Sequence, residues 1–188
     1  FPQDIIALGE IIWNVKPDLI IETGIAHGGT LVFSASLLQL IGGNGKVVGI
    51  DVDIRPHNKS AIEQHPMSKR ISMIEGSSTD FKVVEQVKKL VRGKKRILVY
   101  LDSNHSHSHV LKELILYSPL VSIGSYIVVF DTLIEYIPQE NRPWGKGNNP
   151  KTAVAEFLKI RKNFVIDTQL EGKLCITAGM GGYLKRIR

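Results

Sequence analysis

Short apolar runs alternate with helical patterns along this sequence, and that alternation restricts the fold more than any other feature. The first run, Leu19–Thr23, shows no polar alternation, which predicts a strand buried on both faces of a sheet. Four further predicted strands follow: Lys46–Asp51, Ile71–Glu75, Arg96–Leu101 and Tyr126–Phe130. Strand–helix alternation predicts an α/β fold with a mostly parallel sheet and helices on both faces.

The intervening helices are predicted from apolar periodicity, capping residues and breakers. Their bounds are Asp4–Val15, Gly28–Ile41, His57–His65, Asp80–Val91, His107–Val121 and Pro150 to about Lys162. Residues 133–149 form a long loop before the last helix, and this loop is predicted to close an active site. The N-terminal helix, within residues 1–16, is expected to help cover the same site.

The C-terminal part of the sequence departs from the alternation. Two further runs, Phe164–Gln169 and Leu174–Thr177, are separated by a short segment around Gly172, and the second continues through glycines to Tyr183. No helix is predicted between them, so they should form an antiparallel hairpin at one edge of the sheet. The result is a seven-stranded type of sheet, and residues 1–188 are expected to form one domain.

The composition is that of an ordinary globular chain, with 43% hydrophobic and 22% charged residues. No apolar run approaches the roughly 18–20 residues that a membrane span needs. The net charge is +6, but the basic residues are scattered in pairs rather than interleaved with aromatics. We therefore expect a small-molecule substrate and no nucleic-acid partner, and the sequence leaves homo-oligomerisation open.

The single cysteine, Cys175, lies in an apolar run without a histidine or asparagine pattern around it. This favours a buried thiol over a nucleophile. One cysteine excludes an intrachain disulfide and fits a reducing compartment, so a cytoplasmic location is expected. No signal peptide is visible, but because the sequence begins on Phe1 rather than Met, we expect it to be part of a longer gene product.

Polar side chains follow the ends of the predicted strands. They are Glu22, Asp51, Glu75, Ser77, Asp102 and Asp131. The carboxyl ends of parallel strands meet at one edge of a sheet, where ligands bind. Five carboxylates are costly to place together unless they bind something, so this edge is the predicted site.

The loop after the first strand predicts the cofactor. It has the spacing Gly-x-x-x-Gly-Gly from Gly24 to Gly29, whereas dinucleotide folds use Gly-x-Gly-x-x-Gly, and this disfavours an NAD-dependent oxidoreductase. Gly24, Ala26 and Gly28 are predicted cofactor contacts, because such a loop lets a ligand approach the backbone. Glu22, just before the first glycine, suits a positively charged ligand such as S-adenosylmethionine.

The remaining contacts follow from strand order. Asp51 is placed to accept hydrogen bonds from ribose hydroxyls, and Ser77 is a plausible contact for the adenine edge. Asp102, from the adjacent strand, is predicted to contribute to the same cofactor site. Asp102 and Asp131 also suit Mg²⁺, which takes oxygen ligands and tolerates water. Such an ion would hold a substrate hydroxyl and lower its pKa.

Histidines at alternate positions, 105, 107 and 109, follow Asp102 and raise the alternative of zinc. A strand-to-helix loop need not bring alternate residues together, so zinc is disfavoured. His105 is a candidate general base or a group that supports the metal ligands, with helix capping as the structural alternative.

Four segments resemble the cephalosporin hydroxylase/rhamnosyl O-methyltransferase family. They are residues 16–24 with His27-Gly28-Gly29, residues 101–107, residues 148–154 and residues 182–186. The resemblance implies a Rossmann-like, class I S-adenosylmethionine-dependent methyltransferase. It implies that Glu22, Gly24 and Asp51 contact the cofactor, and that Asp102 and Asp131 match two of three acidic Mg²⁺ ligands. The third acid would immediately precede Asp131, where this chain has Phe130.

The sequence therefore predicts O-methylation of a hydroxyl on a sugar or secondary metabolite, with Asp102, His105 and Asp131 as the catalytic residues. The main alternative is a non-catalytic subunit that binds S-adenosylmethionine and assists a partner oxygenase. Phe130 favours that alternative, because phenylalanine cannot coordinate a cation.

Overall fold

The computed structural model describes residues 1–138 and 140–188, and these form seven strands and seven α-helices. The strands are β1 (Leu19–Thr23), β2 (Lys46–Asp51), β3 (Ile71–Glu75), β4 (Ile97–Leu101), β5 (Tyr126–Val129), β6 (Phe164–Ile166) and β7 (Tyr183–Arg186). The helices are α1 (Pro2–Val15), α2 (Gly29–Ile41), α3 (Pro56–Gln64), α4 (Phe81–Val91), α5 (His107–Tyr117), α6 (Pro150–Ile160) and α7 (Thr168–Glu171).

All seven strands belong to one sheet in the order β3-β2-β1-β4-β5-β7-β6. The first five strands in this order are parallel, and β7 runs antiparallel between β5 and β6. The predicted mostly parallel sheet with an antiparallel C-terminal pair is thus confirmed. The strand order reverses between β1 and β4. The loops that follow these two strands therefore run in opposite directions and leave a crevice between them at the carboxyl edge.

The connection within the C-terminal pair differs from the prediction. The predicted strand Leu174–Thr177 is wrong, because these residues form bends and turns between α7 and β7. The preceding strand ends at Ile166, since the Asp167 side chain accepts the backbone N–H of Leu170 at 3.0 Å and begins α7.

The same loop overturns the expectation for Cys175. Its side chain is exposed rather than buried, because the residues around it form bends and turns instead of a buried strand. The helix predicted to reach Val121 ends at Tyr117, and a 3-10 turn over Ser118–Leu120 replaces its last part. Pro119 explains this, since proline cannot supply the backbone N–H that a longer helix needs.

Alternate side chains of the buried strands supply two cores. On β1, Leu19 and Ile21 enter one core with residues of α4, α5 and α6, while Ile20 enters the other with residues of α1, α2 and α3. Each fully buried Leu or Ile stabilises the fold by about 1.5–3 kcal/mol. Helices pack against both faces of the sheet, as predicted. No helix among the described residues has the length and hydropathy needed to cross a membrane.

Candidate active site

Two neighbouring cavities open at the carboxyl edge of the sheet, and Gly24, Asp51 and Ser103 line both of them. The small cavity, of about 160 Å³, is lined by Gly24, Ile50, Asp51, Val52, Gly76, Ser78, Ser103, Asn104 and His109. The large cavity, of about 790 Å³, includes Ala26, Arg55, Asp102, His105, Asp131, Arg142 and Trp144 in its lining. The structure thus brings most of the predicted site residues together.

Gly24 has a position that no other residue type fits. Its φ is +89°, and a Cβ atom there would lie 2.1 Å from the carbonyl oxygen of Asp102. The ends of β1 and β4 therefore approach each other closely across this glycine. Gly28, the residue before α2, also has a positive φ, and a Cβ atom there would lie 2.4 Å from the side chain of Ile62 on α3.

Asp51 organises the loop after β1. Its Oδ2 accepts the backbone N–H groups of Ile25 at 2.7 Å and Ala26 at 3.2 Å, and its Oδ1 accepts that of Asp53 at 3.1 Å. Ala26 has a φ of +45°, which is uncommon for a residue with a Cβ atom. Asn58 supports this conformation, because its Nδ2 donates to the Ala26 carbonyl at 2.8 Å. The sequence predicted a ribose contact for Asp51 and did not reveal that this residue also shapes the loop after β1.

Glu22 lies on β1, two residues before the loop, and is only 4% exposed. Burial, followed by repulsion from Asp102, raises the pKa of Glu22 well above its usual range. Its Oε2 has no hydrogen-bond partner among the described residues. A buried carboxyl group without a full set of partners is uncommon in structural positions and indicates a functional one.

Asp102 lines the large cavity and keeps an exposed surface, although many protein atoms surround its carboxyl group. Burial by these atoms, and then repulsion from Asp131 and Glu113, raises the pKa of Asp102 to about 8. One donor atom from each of Asp102, His105 and Asp131 lies within 4.8 Å of the other two. The side chains predicted to be catalytic therefore form one cluster in the large cavity.

His105 and Asp131 make a direct contact, with Nε2 and Oδ2 3.3 Å apart. Burial lowers the pKa of His105 and Arg142 acts in the same direction, against the carboxylates of Asp131 and Glu113. Phe130, beside Asp131, packs edge-on against Tyr100 with ring centroids 6.4 Å apart. The position where the family resemblance implied a third acid thus packs partly against the apolar core and also lines a cavity with Asp102 and Asp131.

The two serines after β3 face different cavities. Ser78 lines the small cavity, whereas Ser77 lines a separate groove with Lys88 and Lys112. Ser78, and not Ser77, therefore shares a cavity with Gly24 and Asp51, and the adenine contact proposed for Ser77 stays a prediction. Glu75, also at this strand end, is exposed.

Described residues of the 133–149 range line the large cavity, among them Leu133, Arg142 and Trp144. The ring of Trp144 meets that of His105 edge-on, with centroids 5.1 Å apart. The Arg142 guanidinium lies 5.7 Å from the Trp144 ring centroid. Glu135 fixes the end of the loop, since its Oε2 accepts the backbone N–H of Gly147 at 2.9 Å. Gln139 lies outside the described residues.

Comparison with known families gives this arrangement a context. The model of the Rhamnosyl O-methyltransferase/CmcI family matches residues 1–187. The chain belongs to this family. The resemblance inferred from the four sequence segments is therefore confirmed over nearly the whole chain.

Curated members of the Rhamnosyl O-methyltransferase/CmcI family include two similar mycobacterial proteins. The rhamnosyl O-methyltransferase of Mycobacterium tuberculosis (strain ATCC 25618 / H37Rv) is 33% identical over 184 residues, which cover 94% of this chain and 70% of that protein. The rhamnosyl O-methyltransferase of Mycobacterium leprae (strain TN) is 32% identical over 181 residues, with 94% and 75% covered.

Solved structures confirm the class I methyltransferase fold. A CmcI structure with Mg and SAM has a TM-score of 0.72 and 19% identity, and the match covers 100% of this chain and 72% of that chain. The MycE methyltransferase of the mycinamycin biosynthetic pathway, in complex with Mg, SAH and mycinamycin VI, has a TM-score of 0.55 and 18% identity, with 90% and 44% covered.

Proposed function

We propose that this protein is an S-adenosylmethionine-dependent O-methyltransferase that acts on a hydroxyl group of a sugar or secondary metabolite. Membership of the Rhamnosyl O-methyltransferase/CmcI family supports this activity. The observation that carries the proposal is the cluster of Asp102, His105 and Asp131 in the large cavity, where burial and two neighbouring carboxylates raise the pKa of Asp102 to about 8. A carboxyl group with a raised pKa is largely protonated at pH 7, and a bound cation would favour its ionised form. The cavity therefore favours a cationic ligand, and the sulfonium of the cofactor is a cation.

In this proposal the small cavity takes the adenosine end of the cofactor and the large cavity takes its methionine end and the acceptor. The backbone from Gly24 through Ala26 to Gly28 follows the cofactor, and Asp51 keeps lone pairs for the ribose hydroxyls. Glu22 and Asp102 lie at the methionine end, where a bound cation would favour their ionised forms over the protonated forms that their raised pKa values indicate.

Methyl transfer breaks the S–CH₃ bond and forms an O–CH₃ bond, while the acceptor hydroxyl gives up its proton. His105 is the proposed proton acceptor. Because burial lowers its pKa, the imidazole is neutral at pH 7 and able to take a proton. The Asp131 carboxylate, 3.3 Å from Nε2, orients the ring, and a proton on Nε2 leaves Nδ1 as the basic nitrogen.

Asp102 and Asp131 are the proposed Mg²⁺ ligands. They fit this ion, because Mg²⁺ is commonly held by one or two carboxylates and completes its shell with water. A cation would also relieve the repulsion that raises the pKa of Asp102. When bound, Mg²⁺ would polarise the acceptor oxygen. Phe130 supplies no ligand, so we propose weaker binding than three acids would give.

Two segments are proposed to exclude water from the reaction. The loop of residues 133–149 places Trp144 and Arg142 in the wall of the large cavity, and α1 lies beside an adjoining cavity lined by Ile5, Leu8 and Asp131. As part of the same proposal, residues 1–188 act as one domain in a reducing, cytoplasmic environment, which suits the exposed thiol of Cys175.

The second candidate function is a non-catalytic subunit that binds S-adenosylmethionine and assists a partner oxygenase. The side chain of Phe130 favours it, because an apolar ring stands where a metal ligand would otherwise be. A nicotinamide-dependent oxidoreductase is the third, and the glycine spacing of the β1 loop disfavours it.

Calorimetry and a methylation assay separate the three. We expect S-adenosylhomocysteine to bind and NAD not to bind, and we expect mass spectrometry to find methyl transfer from S-adenosylmethionine to a rhamnosyl or related hydroxyl acceptor. Binding of NAD without S-adenosylhomocysteine would overturn the proposal. Binding of S-adenosylhomocysteine, with no methylation across a broad panel of hydroxyl acceptors, would favour the non-catalytic subunit.

A further inference from the structure

A buried carboxylate on α5 is linked by hydrogen bonds to the wall of the small cavity. Glu113 has no exposed surface, and its Oε1 accepts the hydroxyl of Ser103 at 2.7 Å. The same oxygen lies 3.6 Å from Nε2 of His109. Burying a carboxylate is costly, and the methyl transfer described above assigns no step to Glu113.

The direction of these hydrogen bonds follows from the carboxylate. Because the hydrogen of Ser103 is donated to Glu113, Ser103 Oγ accepts from Nε2–H of His109, 3.2 Å away. Ser78 Oγ, at 3.1 Å from Nε2, shares this one hydrogen as the second acceptor of a bifurcated hydrogen bond. The hydrogen of the Ser78 hydroxyl is then left for a ligand.

Ser78 is held firmly in this position. Its backbone carbonyl accepts the hydroxyl of Tyr117 at 2.7 Å. Burial, and then repulsion from Glu113, raises the pKa of Tyr117, so this hydroxyl remains a donor. Ser78 is 4% exposed and lines the small cavity, where Ile50 and Val52 supply apolar walls suited to a flat ring.

We propose that the relay of Glu113, Ser103, His109 and Ser78 makes the small cavity selective for a 6-aminopurine over a 6-oxopurine. The inference rests on the proposed function, since it concerns the adenine of the methyl donor. Adenine has an unprotonated ring nitrogen, N1, that accepts a hydroxyl hydrogen. N1 of hypoxanthine carries a hydrogen of its own, so two donors would face each other and no hydrogen bond would form. Ser78 and His109 contact the ring, and Glu113 and Ser103 are positioning residues.

The test compares S-adenosylhomocysteine with S-inosylhomocysteine by calorimetry on the full chain. We expect the wild-type chain to bind the adenosyl compound at least about 10-fold more tightly, as hydrogen-bond discrimination gives. Ser78→Ala should weaken adenosyl binding about 10-fold and leave inosyl binding unchanged or stronger. Glu113→Gln should lower the ratio as well, because a Gln amide that donates to Ser103 Oγ reverses the relay.

Ser77→Ala is the matched control, because that serine faces the separate groove, and its binding ratio should equal that of the wild type. Equal binding of both compounds by the wild type, or an unchanged ratio in Ser78→Ala, overturns the selectivity relay. If Glu113→Gln fails to fold, Ser78→Ala still decides. Failure of the wild type to bind S-adenosylhomocysteine at all would instead refute the proposed function.

Discussion

Oδ2 of Asp51 accepts the backbone N–H of Ile25 at 2.7 Å, so the residue that ends β2 holds the loop that follows β1. Ala26 donates to the same oxygen, in a backbone conformation that needs such support. A single carboxylate thus gives the loop its shape and faces both cavities.

Replacement of Asp51 by alanine should weaken binding of S-adenosylhomocysteine. The loss of the ribose acceptor and the loop contacts should cost about 1.5–3 kcal/mol, or roughly 10- to 150-fold in Kd. Calorimetry measures the effect. Glu75→Ala is the control, because Glu75 is exposed and lies opposite Asp51 in the strand register, and its Kd should not change. Equal losses in the two variants would contradict the role of Asp51.

Gly24→Ala should destabilise the fold more than Gly93→Ala does. Both glycines have a positive φ, but a Cβ atom at Gly93 has no neighbour within 4 Å, whereas at Gly24 it meets Asp102. Backbone strain should cost about 1–2 kcal/mol in both variants. The steric clash should cost Gly24→Ala about 1–3 kcal/mol more. Denaturant unfolding gives both values, and equal losses would show that the ends of β1 and β4 separate easily.

Phe130→Glu should tighten Mg²⁺ binding. The added carboxylate gives the ion a third oxygen ligand beside Asp102 and Asp131, and we expect the Mg²⁺ affinity to rise at least about 10-fold. Asp131→Asn should abolish Mg²⁺ binding.

His105→Gln should lower turnover and change Mg²⁺ affinity little, since a hard cation prefers oxygen. Calorimetry with Mg²⁺ checks each variant, and no measurable binding to the wild type or to Phe130→Glu would refute the metal assignment.

Asp4 should stabilise the fold by an amount that changes only at pH values below the usual pKa of an aspartate. Asp4 accepts hydrogen bonds from the hydroxyl of Tyr183 at 2.6 Å, the backbone N–H of Ala178 at 3.0 Å and the hydroxyl of Thr177. Burial alone would raise the pKa of Asp4, but these hydrogen bonds together lower it below 3.8. The stabilisation is therefore present above the unfolded-state pKa and is lost as pH falls through the folded-state pKa.

Asp4→Asn should cost about 1.5–3 kcal/mol of unfolding free energy at pH 7. The gap between wild type and variant should be unchanged at about pH 5 and smaller at about pH 3. Urea unfolding at the three pH values provides the measurement. Asp53→Asn, whose side chain is 74% exposed, should show no such gap. A gap that widens as pH falls would contradict the lowered pKa.

Trp144→Ala should lower kcat and leave the affinity for S-adenosylhomocysteine nearly unchanged. The Trp144 ring packs against His105 at the acceptor side, away from the small cavity. Loss of water exclusion and of His105 placement should reduce kcat at least about 10-fold. The chain has two tryptophans, and Trp13→Ala on the exposed face of α1 is the control. Equal effects of both variants on kcat would contradict the role of the loop.

The bounds of the strands were predicted well where a proline or glycine lies next to the strand. The bounds of β1, β2 and β3 match the prediction because a proline or glycine lies close before β1 or β2, and Gly76 follows β3. The strand predicted over residues 174–177 was wrong because the apolar residues of this segment belong to a loop. Thr177 binds Asp4 there, and no local pattern signals a contact between residues so far apart.

The site shows the same division. Glu22, Gly24, Asp51, Asp102 and Asp131 lie where strand ends predicted them. The contributions of Ser78, His109, Glu113 and Trp144 come from tertiary contacts across turns and helices. The choice of Ser78 over Ser77 depends on the direction of one turn, which composition does not determine. The thiol of Cys175 was predicted to be buried and is exposed, because the apolar residues around it belong to a loop and not to a strand.

The contacts of Asp4 with Thr177, Ala178 and Tyr183 also bear on the order of folding. They join residues 173, 174 and 179 positions apart in the chain. Closing so large a loop is entropically unfavourable early, so these contacts should form last. During synthesis, the five parallel strands emerge before the segment that secures the start of α1. The cofactor side of the protein should thus take shape before residues 177–183 have been synthesised, and the acceptor side only after them.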